Sequence, residues 1–307
     1  MPGAILGLIS AVAFGANSII TRRGMLRASS NYVATITVFT GPIFFLIIGG
    51  MTGDLFKLRQ MPLEAYVYLA LSGITHFALG RTWGYRSIQL IGSNRSNIVT
   101  SLNPVVTIIL AMIILRETIT LIMGIGILCT LTGPLLILLK ERVIPSAVQL
   151  KANPYGKELD RPTLYKGIFY GIGAAIFWGS SAIFIKLGLE HGGSPIAGSF
   201  IAYLSASIAI SPSSLFKKDL REEILHGDKQ SFKIALFSGL TTNVAQLMRY
   251  IALGLGSAIV ISLMLRTMPL WVLFFAFIFN RKYESFSRWV LLGNALIIMG
   301  TILILLF

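Results

Sequence analysis

Four ionisable side chains interrupt long apolar runs of this chain, Arg81, Arg249, Arg266 and His76, and none of them is an acid. Glu64, Glu117 and Glu284 stand at the ends of those runs instead. An ionisable group in hydrocarbon is costly and usually faces a bundle interior or a wet cavity, so the residues that share a helical face with these groups are the candidates for chemistry. Asn97, Ser101 and Pro104 are spaced i, i+4, i+7 and share one face; 165 residues later the same pattern reads Ser262, Arg266, Pro269. A proline frees a carbonyl of the preceding turn, tolerated best where side chains or water can satisfy it. Arg266 therefore has two open roles: its forked donors can take a substrate anion, or they can support the freed carbonyls.

Thr242, Gln246 and Arg249 form a second stripe with Asn243 beside it. Arg249 lies near its helix end, where snorkelling to the interface is the alternative to a buried role. His76 shares a face with Gly80 and Trp83, while Arg81 points elsewhere with Phe77 and Tyr85; His76 is either a substrate or proton contact or a satisfied structural group. Ser10, Phe14, Asn17 and Thr21 share a face of the first run, matched by Trp178 and Ser181 in a later one. The rings of Phe14 and Trp178 can stack on a substrate, plug its path or pack between helices. The candidate binding set is Phe14, Asn17, His76, Asn97, Ser101, Trp178, Ser181, Asn243, Gln246, Arg249, Ser262 and Arg266. No set of catalytic residues emerges: there is no Gly-x-Gly-Asp, no His-Glu-x-x-His and no phosphate-binding Gly-x-x-x-x-Gly-Lys loop. No enzyme activity, metal or cofactor is expected.

The elements that must carry these residues are membrane helices. Of 307 residues, 55% are hydrophobic and 12% charged, and apolar stretches of about 20 residues, enough to cross the hydrocarbon core, recur along the chain. The expected spans are 3–22, 32–50, 64–84, 96–115 and 119–139, then 167–187, 195–212, 232–253, 257–279 and 288–306. The first lacks a basic leader and a cleavage site and reads as a retained helix. Cys129 is the only cysteine, so no intramolecular disulfide forms.

The chain also repeats itself. Gly7, Ala11, Phe14, Gly15 and Ile19 superpose on Gly171, Ala175, Trp178, Gly179 and Ile183, and Tyr85, Pro104, Glu117, Gly126 and Gly133 on Tyr250, Pro269, Glu284, Gly293 and Gly300, at offsets of 164 to 167. The division is 1–139 for the first five-helix repeat, 140–166 for a polar linker with Pro145, Pro154 and Pro162, and 167–307 for the second repeat. Because five is odd, the second repeat enters the membrane upside down, and inverted repeats of this kind point to a carrier.

Charge agrees with inversion. Alternate connections hold 19 Lys and Arg and the others four, and equivalent loops of the two halves swap bias, which also places both termini outside the cytoplasm. That distribution accounts for the +14 net charge, so no nucleic-acid partner is expected. Phe216, Leu220 and Ile224 recur among Lys217, Lys218, Arg221 and Glu222 as in a short interfacial helix, or as in an ordinary solvated loop.

These features resemble the ten-helix EamA-type members of the drug/metabolite transporter superfamily. The likeness is carried by Ala13-Phe14-Gly15-Ala16-Asn17 and Phe177-Trp178-Gly179-Ser180-Ser181, by Tyr85 to Ser93 with Tyr250 to Ser257, by the mid-helix prolines, and by the Glu opening each last hairpin. The resemblance implies an all-α integral membrane protein, ten helices in two inverted five-helix repeats around a central cavity, multi-pass in the plasma (inner) membrane. It also implies cytoplasmic termini, against the charge count. A secondary carrier working by alternating access on a small organic metabolite is the expected function, with a channel or a non-transporting receptor as the alternative. Buried arginines without buried acids favour an amino acid or other carboxylate-bearing compound. The expected partners are this small molecule and the lipid bilayer; the sequence leaves the oligomeric state open, a monomer being one reading.

Overall fold

The computed structural model describes residues 2–25, 29–140, 161–216, 218–279 and 288–306, which form helices joined by short turns, with no strand among them. In chain order they are α1 (Pro2–Met25), α2 (Ser30–Thr52), a 3-10 stretch (Asp54–Gln60), α3 (Leu63–Gly73), a π-helical stretch (Ile74–Gly80), α4 (Arg81–Thr100), α5 (Asn103–Ile114), α6 (Leu121–Lys140) and α7 (Arg161–Glu190). They continue as α8 (Pro195–Phe216), α9 (Lys218–His226), α10 (Lys229–Leu255), α11 (Ala258–Met264), a 3-10 turn (Leu265–Thr267), α12 (Met268–Phe279) and α13 (Arg288–Leu306).

Among the described residues, five stretches are long and apolar enough to cross a membrane: Asn31–Thr52, Arg161–Glu190, Pro195–Pro212, Ala258–Phe275 and Arg288–Leu306. Pro2–Ser18, Ile98–Ile114 and Leu121–Leu136 are shorter apolar helices. The expected third and eighth spans are helical as well, but His76 and Arg81 in one and Asn243, Gln246 and Arg249 in the other dilute their hydropathy. Side chains turned outward are apolar, as a lipid-facing surface requires: on α13, Leu291, Ile298 and Ile302 are exposed while Gly293, Ile297 and Gly300 are buried.

Element boundaries follow the prolines and glycines. The expected connection after residue 84 is helical, and the break comes instead at Ser101-Leu102, just before Pro104, because proline has no N–H to donate to the previous turn and its ring crowds the carbonyl there. The equivalent run breaks at Leu265–Thr267, just before Pro269. Hydroxyls take up carbonyls at both breaks: Ser101 Oγ donates to Ile98 O at 2.7 Å and Thr267 Oγ1 to Met264 O at 2.7 Å. The short helix expected near 216–224 is α9, whose Leu220 packs on Tyr32, Val33 and Ala235. Glu223 of α9 accepts from Ser29 N at 2.6 Å and from the Ser29 hydroxyl, satisfying orphan donors at the start of α2. Most of the linker and Glu284 lie outside the described residues.

The chain packs as two compact units, residues 1–74 with 184–284 and residues 75–183 with 285–307, and each draws on both sequence repeats. In the first, α1 lies on α10, α11 and α12, α2 on α8 and α10, and α3 on α8. In the second, α6 lies on α13, and α7 meets the π-helical stretch, α4 and α5.

Positions that the repeat equates make equivalent contacts. A Cβ on Gly15 would stand 2.6 Å from Trp271 Cβ, and one on Gly179 2.7 Å from Val106 Cβ; Val106 and Trp271 are 165 residues apart. Gly7 faces Met264 as Gly171 faces Val99, again 165 apart. Between α6 and α13 the relation is reciprocal: Gly126 meets Gly300 and Gly133 meets Gly293, so each member of one equivalent pair touches a member of the other. That exchange is the signature of a local two-fold relation between α6 and α13, and small residues are what let the backbones come this close.

Candidate functional site

The first unit holds seven of the expected residues. Asn17 on α1 is half-buried, and its Oδ1 accepts from Thr241 Oγ1 at 2.8 Å and from Ser238 Oγ at 3.0 Å, both on α10. One turn away, Phe14 is half-buried and its carbonyl accepts from Ser18 Oγ at 2.9 Å; a further turn back, Ser10 Oγ donates to Ala245 O at 2.7 Å. These bonds pin α1 to the polar face of α10.

Further along α10 the stripe turns inward. Arg249 is 6% exposed, so it does not snorkel; its Nη1 donates to Gln246 Oε1 at 3.4 Å, and the phenols of Tyr250 and Tyr203 lie within electrostatic reach. Tyr250 Oη and Ser72 Oγ share a 3.0 Å bond that ties α10 to α3. Asn243 is fully buried; its Nδ2 donates to Thr40 Oγ1 at 3.4 Å, while its Oδ1 has no hydrogen-bond partner among the described residues. A buried acceptor left unmet costs about 1–3 kcal/mol. Ser262 on α11 and Arg266 in the 3-10 turn are half-buried, with Arg266 at the helix break.

The second unit holds the rest. His76 lies in the π-helical stretch, and its Nδ1 is 3.1 Å from Ser181 Oγ on α7. Ser181 Oγ in turn donates to Trp178 O at 2.8 Å, and Trp178 Nε1 donates to His76 O at 3.0 Å. A π-helix forms wider turns than an α-helix, and here it offers a backbone carbonyl to the indole. Gly80 leaves room for the ring: a Cβ there would stand 2.6 Å from Trp178 Cδ1. Trp83 lies on Gly173 in the reverse sense and contacts the rings of Tyr170 and Phe177 at 5.2 Å. The histidine face of the third span is therefore packed on α7. Arg81 lies over the Phe77 ring at 5.7 Å. Ser101 makes its local bond to Ile98 O, and the side chain of Asn97 lies outside the described residues.

Asn17 and Ser181 are 164 residues apart, and His76 and Thr241 are 165 apart, so the Thr241–Asn17 and His76–Ser181 bonds are one joint occurring twice. Ser238 and Thr241 escaped sequence reasoning because the stripe was read only from Thr242 to Arg249, and Ser238 lies one turn before it and Thr241 beside it. The offset that flags His76 also reaches Thr241, and that signal was present.

The model of the EamA-like transporter family matches residues 1–139 and 165–306. None of the curated proteins matches the chain. Among solved structures, a crystal structure of another protein superposes with a TM-score of 0.76 at 13% identity, covering 99% of this chain and 96% of that one, a likeness of fold.

Proposed function

This chain belongs to the EamA-like transporter family, and from that premise we propose that it is a secondary carrier of a small organic metabolite bearing a carboxylate, such as an amino acid. It crosses the plasma (inner) membrane ten times in two inverted repeats and works by alternating access around a central cavity. The observation that carries this reading is the joint made twice, by Asn17 with Thr241 and by Ser181 with His76. Equivalent polar contacts in both repeats fit a machine in which each repeat performs the same motion in the opposite sense. Arg249 and Arg266 supply positive charge to the substrate anion, and Asn243 supplies a buried acceptor for its polar hydrogens. No group in the proposed mechanism makes or breaks a covalent bond.

Counterflow in liposomes tests the carrier: preloading with unlabelled substrate should accelerate entry of label, saturably, where a channel or a non-transporting receptor gives no acceleration. The substrate is found by screening metabolites for a rise in melting temperature, because a ligand of the native state stabilises it.

A further inference from the structure

The hydroxyl proton of Thr241 has three acceptors within reach: Asn17 Oδ1 at 2.8 Å, Ser238 O at 3.0 Å and Phe237 O at 3.1 Å. The Asn17 oxygen is nearest, at the usual O–H···O separation, and Ser238 Oγ approaches the same oxygen at 3.0 Å. Two hydroxyls converging on one amide oxygen fix which way the amide faces. The NH₂ is then turned away from α10, and it makes no hydrogen bond among the described residues.

Ser181, the equivalent in the other repeat, carries a hydroxyl and no amide. Its one proton goes to Trp178 O at 2.8 Å, and its oxygen faces His76 Nδ1. The joint is therefore made in both repeats, and only in the first does the residue on the leading helix carry an NH₂ beside its acceptor oxygen. A scaffold shared by two repeats has no use for that difference. A bound molecule, which is itself asymmetric, does.

We propose that Ser238 and Thr241 are positioning residues that hold the Asn17 amide with its NH₂ toward the transported molecule, so that the carrier selects substrates by an oxygen acceptor, a carboxylate, at that point. This rests on Asn17 contacting substrate in the carrier described above. Asn17→Asp separates positioning from structure, because a carboxylate still accepts from both hydroxyls but presents an oxygen where the donors stood.

The experiment uses the full chain in liposomes, with the L-amino acids and their decarboxylated amines as paired probes. Wild-type protein should show counterflow with carboxylate probes and not with the amines. Asn17→Asp should keep the wild-type melting temperature in detergent and lose ~10-fold or more in apparent affinity for those probes, the scale of a hydrogen bond to a charged group. The double variant Ser238→Ala with Thr241→Val should raise the half-saturating concentration more than it lowers the maximal rate, and Thr241→Ser should behave as wild type. Undiminished carboxylate affinity in Asn17→Asp, or in the double variant should Asn17→Asp not fold, overturns the proposal alone, as does wild-type preference for the amines. Wild-type protein without counterflow of any probe overturns this proposal together with the carrier.

Discussion

Gly73 closes α3 where it crosses α8, and Gly73→Ala tests whether the close helix contacts hold the fold. A Cβ at Gly73 would overlap the Ala202 carbonyl oxygen and stand 2.7 Å from Ala202 Cα, where two carbons prefer about 3.5–4.0 Å. Both groups are backbone, so no rotamer relieves the overlap and the helices must part by about 1 Å. The parting lengthens two neighbouring bonds, Ser205 Oγ to Ala70 O at 3.0 Å and Ser72 Oγ to Tyr250 Oη at 3.0 Å. Overpacking costs about 1–3 kcal/mol and each weakened bond up to about 1 kcal/mol, against a gain of about 1 kcal/mol for alanine over glycine in a helix. A net loss of about 2 kcal/mol lowers the melting temperature by roughly 5 °C. Gly124 is the control, with nothing within 4 Å of a Cβ, so Gly124→Ala should melt at or slightly above wild type. Thermal unfolding of both purified proteins in one detergent decides; Gly73→Ala melting as high as Gly124→Ala refutes the packing argument.

Arg249→Gln and Arg266→Gln should each remain folded in detergent while uptake of a carboxylate probe falls ~10-fold or more; normal uptake by both would remove the anion role. Glu223→Ala removes the acceptor that caps α2 through Ser29, costing about 1 kcal/mol of stability, read as a lower melting temperature with transport per folded molecule unchanged. Ser146→Cys in a Cys129→Ser background should be labelled by an impermeant maleimide only in inverted vesicles, as the basic bias of the linker requires; labelling of intact cells favours cytoplasmic termini on the opposite face. The one carboxylate in any expected span is Glu64, at the first position of the third, so His76→Gln, whose amide can keep a bond to Ser181, should retain counterflow, with no pH change inside the vesicle during transport. Strong proton antiport surviving in His76→Gln would bring Glu64, Glu117 or Glu284 into the pathway.

Helical class, repeat and glycine contacts were legible in the sequence because each rests on local composition or on self-similarity. Gly7, Gly15, Gly171 and Gly179 recur at matching positions of the two halves, where small residues mark close helix contacts, and a Cβ on each would stand 3.1 Å or less from a Cβ of another helix. The boundary after residue 84 was not legible: nothing in Tyr85 to Asn94 states whether a polar stretch continues the helix, and only packing decides. The burial of Arg249 was equally hidden, since a guanidinium near a helix end snorkels or turns inward according to what its neighbours offer. Here they offer Gln246 and two phenols, one of them from α8.

How the two repeats combine follows from which contacts are equivalent. Had each five-helix half folded as its own bundle, Gly15 would meet partners in residues 1–139 and Gly179 partners in 167–307. Gly15 instead meets Trp271 and Gly179 meets Val106, so each first helix of a repeat is completed by the other repeat. The joints obey the same rule, Asn17 with Thr241 and Ser181 with His76. Neither half can therefore bury its small-residue face alone, and expressed singly each half should expose that face and associate. Interchange of this kind also means that a substitution in one repeat is felt at a contact made by the other. At the joints and the proline breaks the halves carry different side chains, Asn17 against Ser181, Thr241 against His76 and Arg266 against Ser101, so equivalent backbone contacts present unlike chemistry in the two repeats.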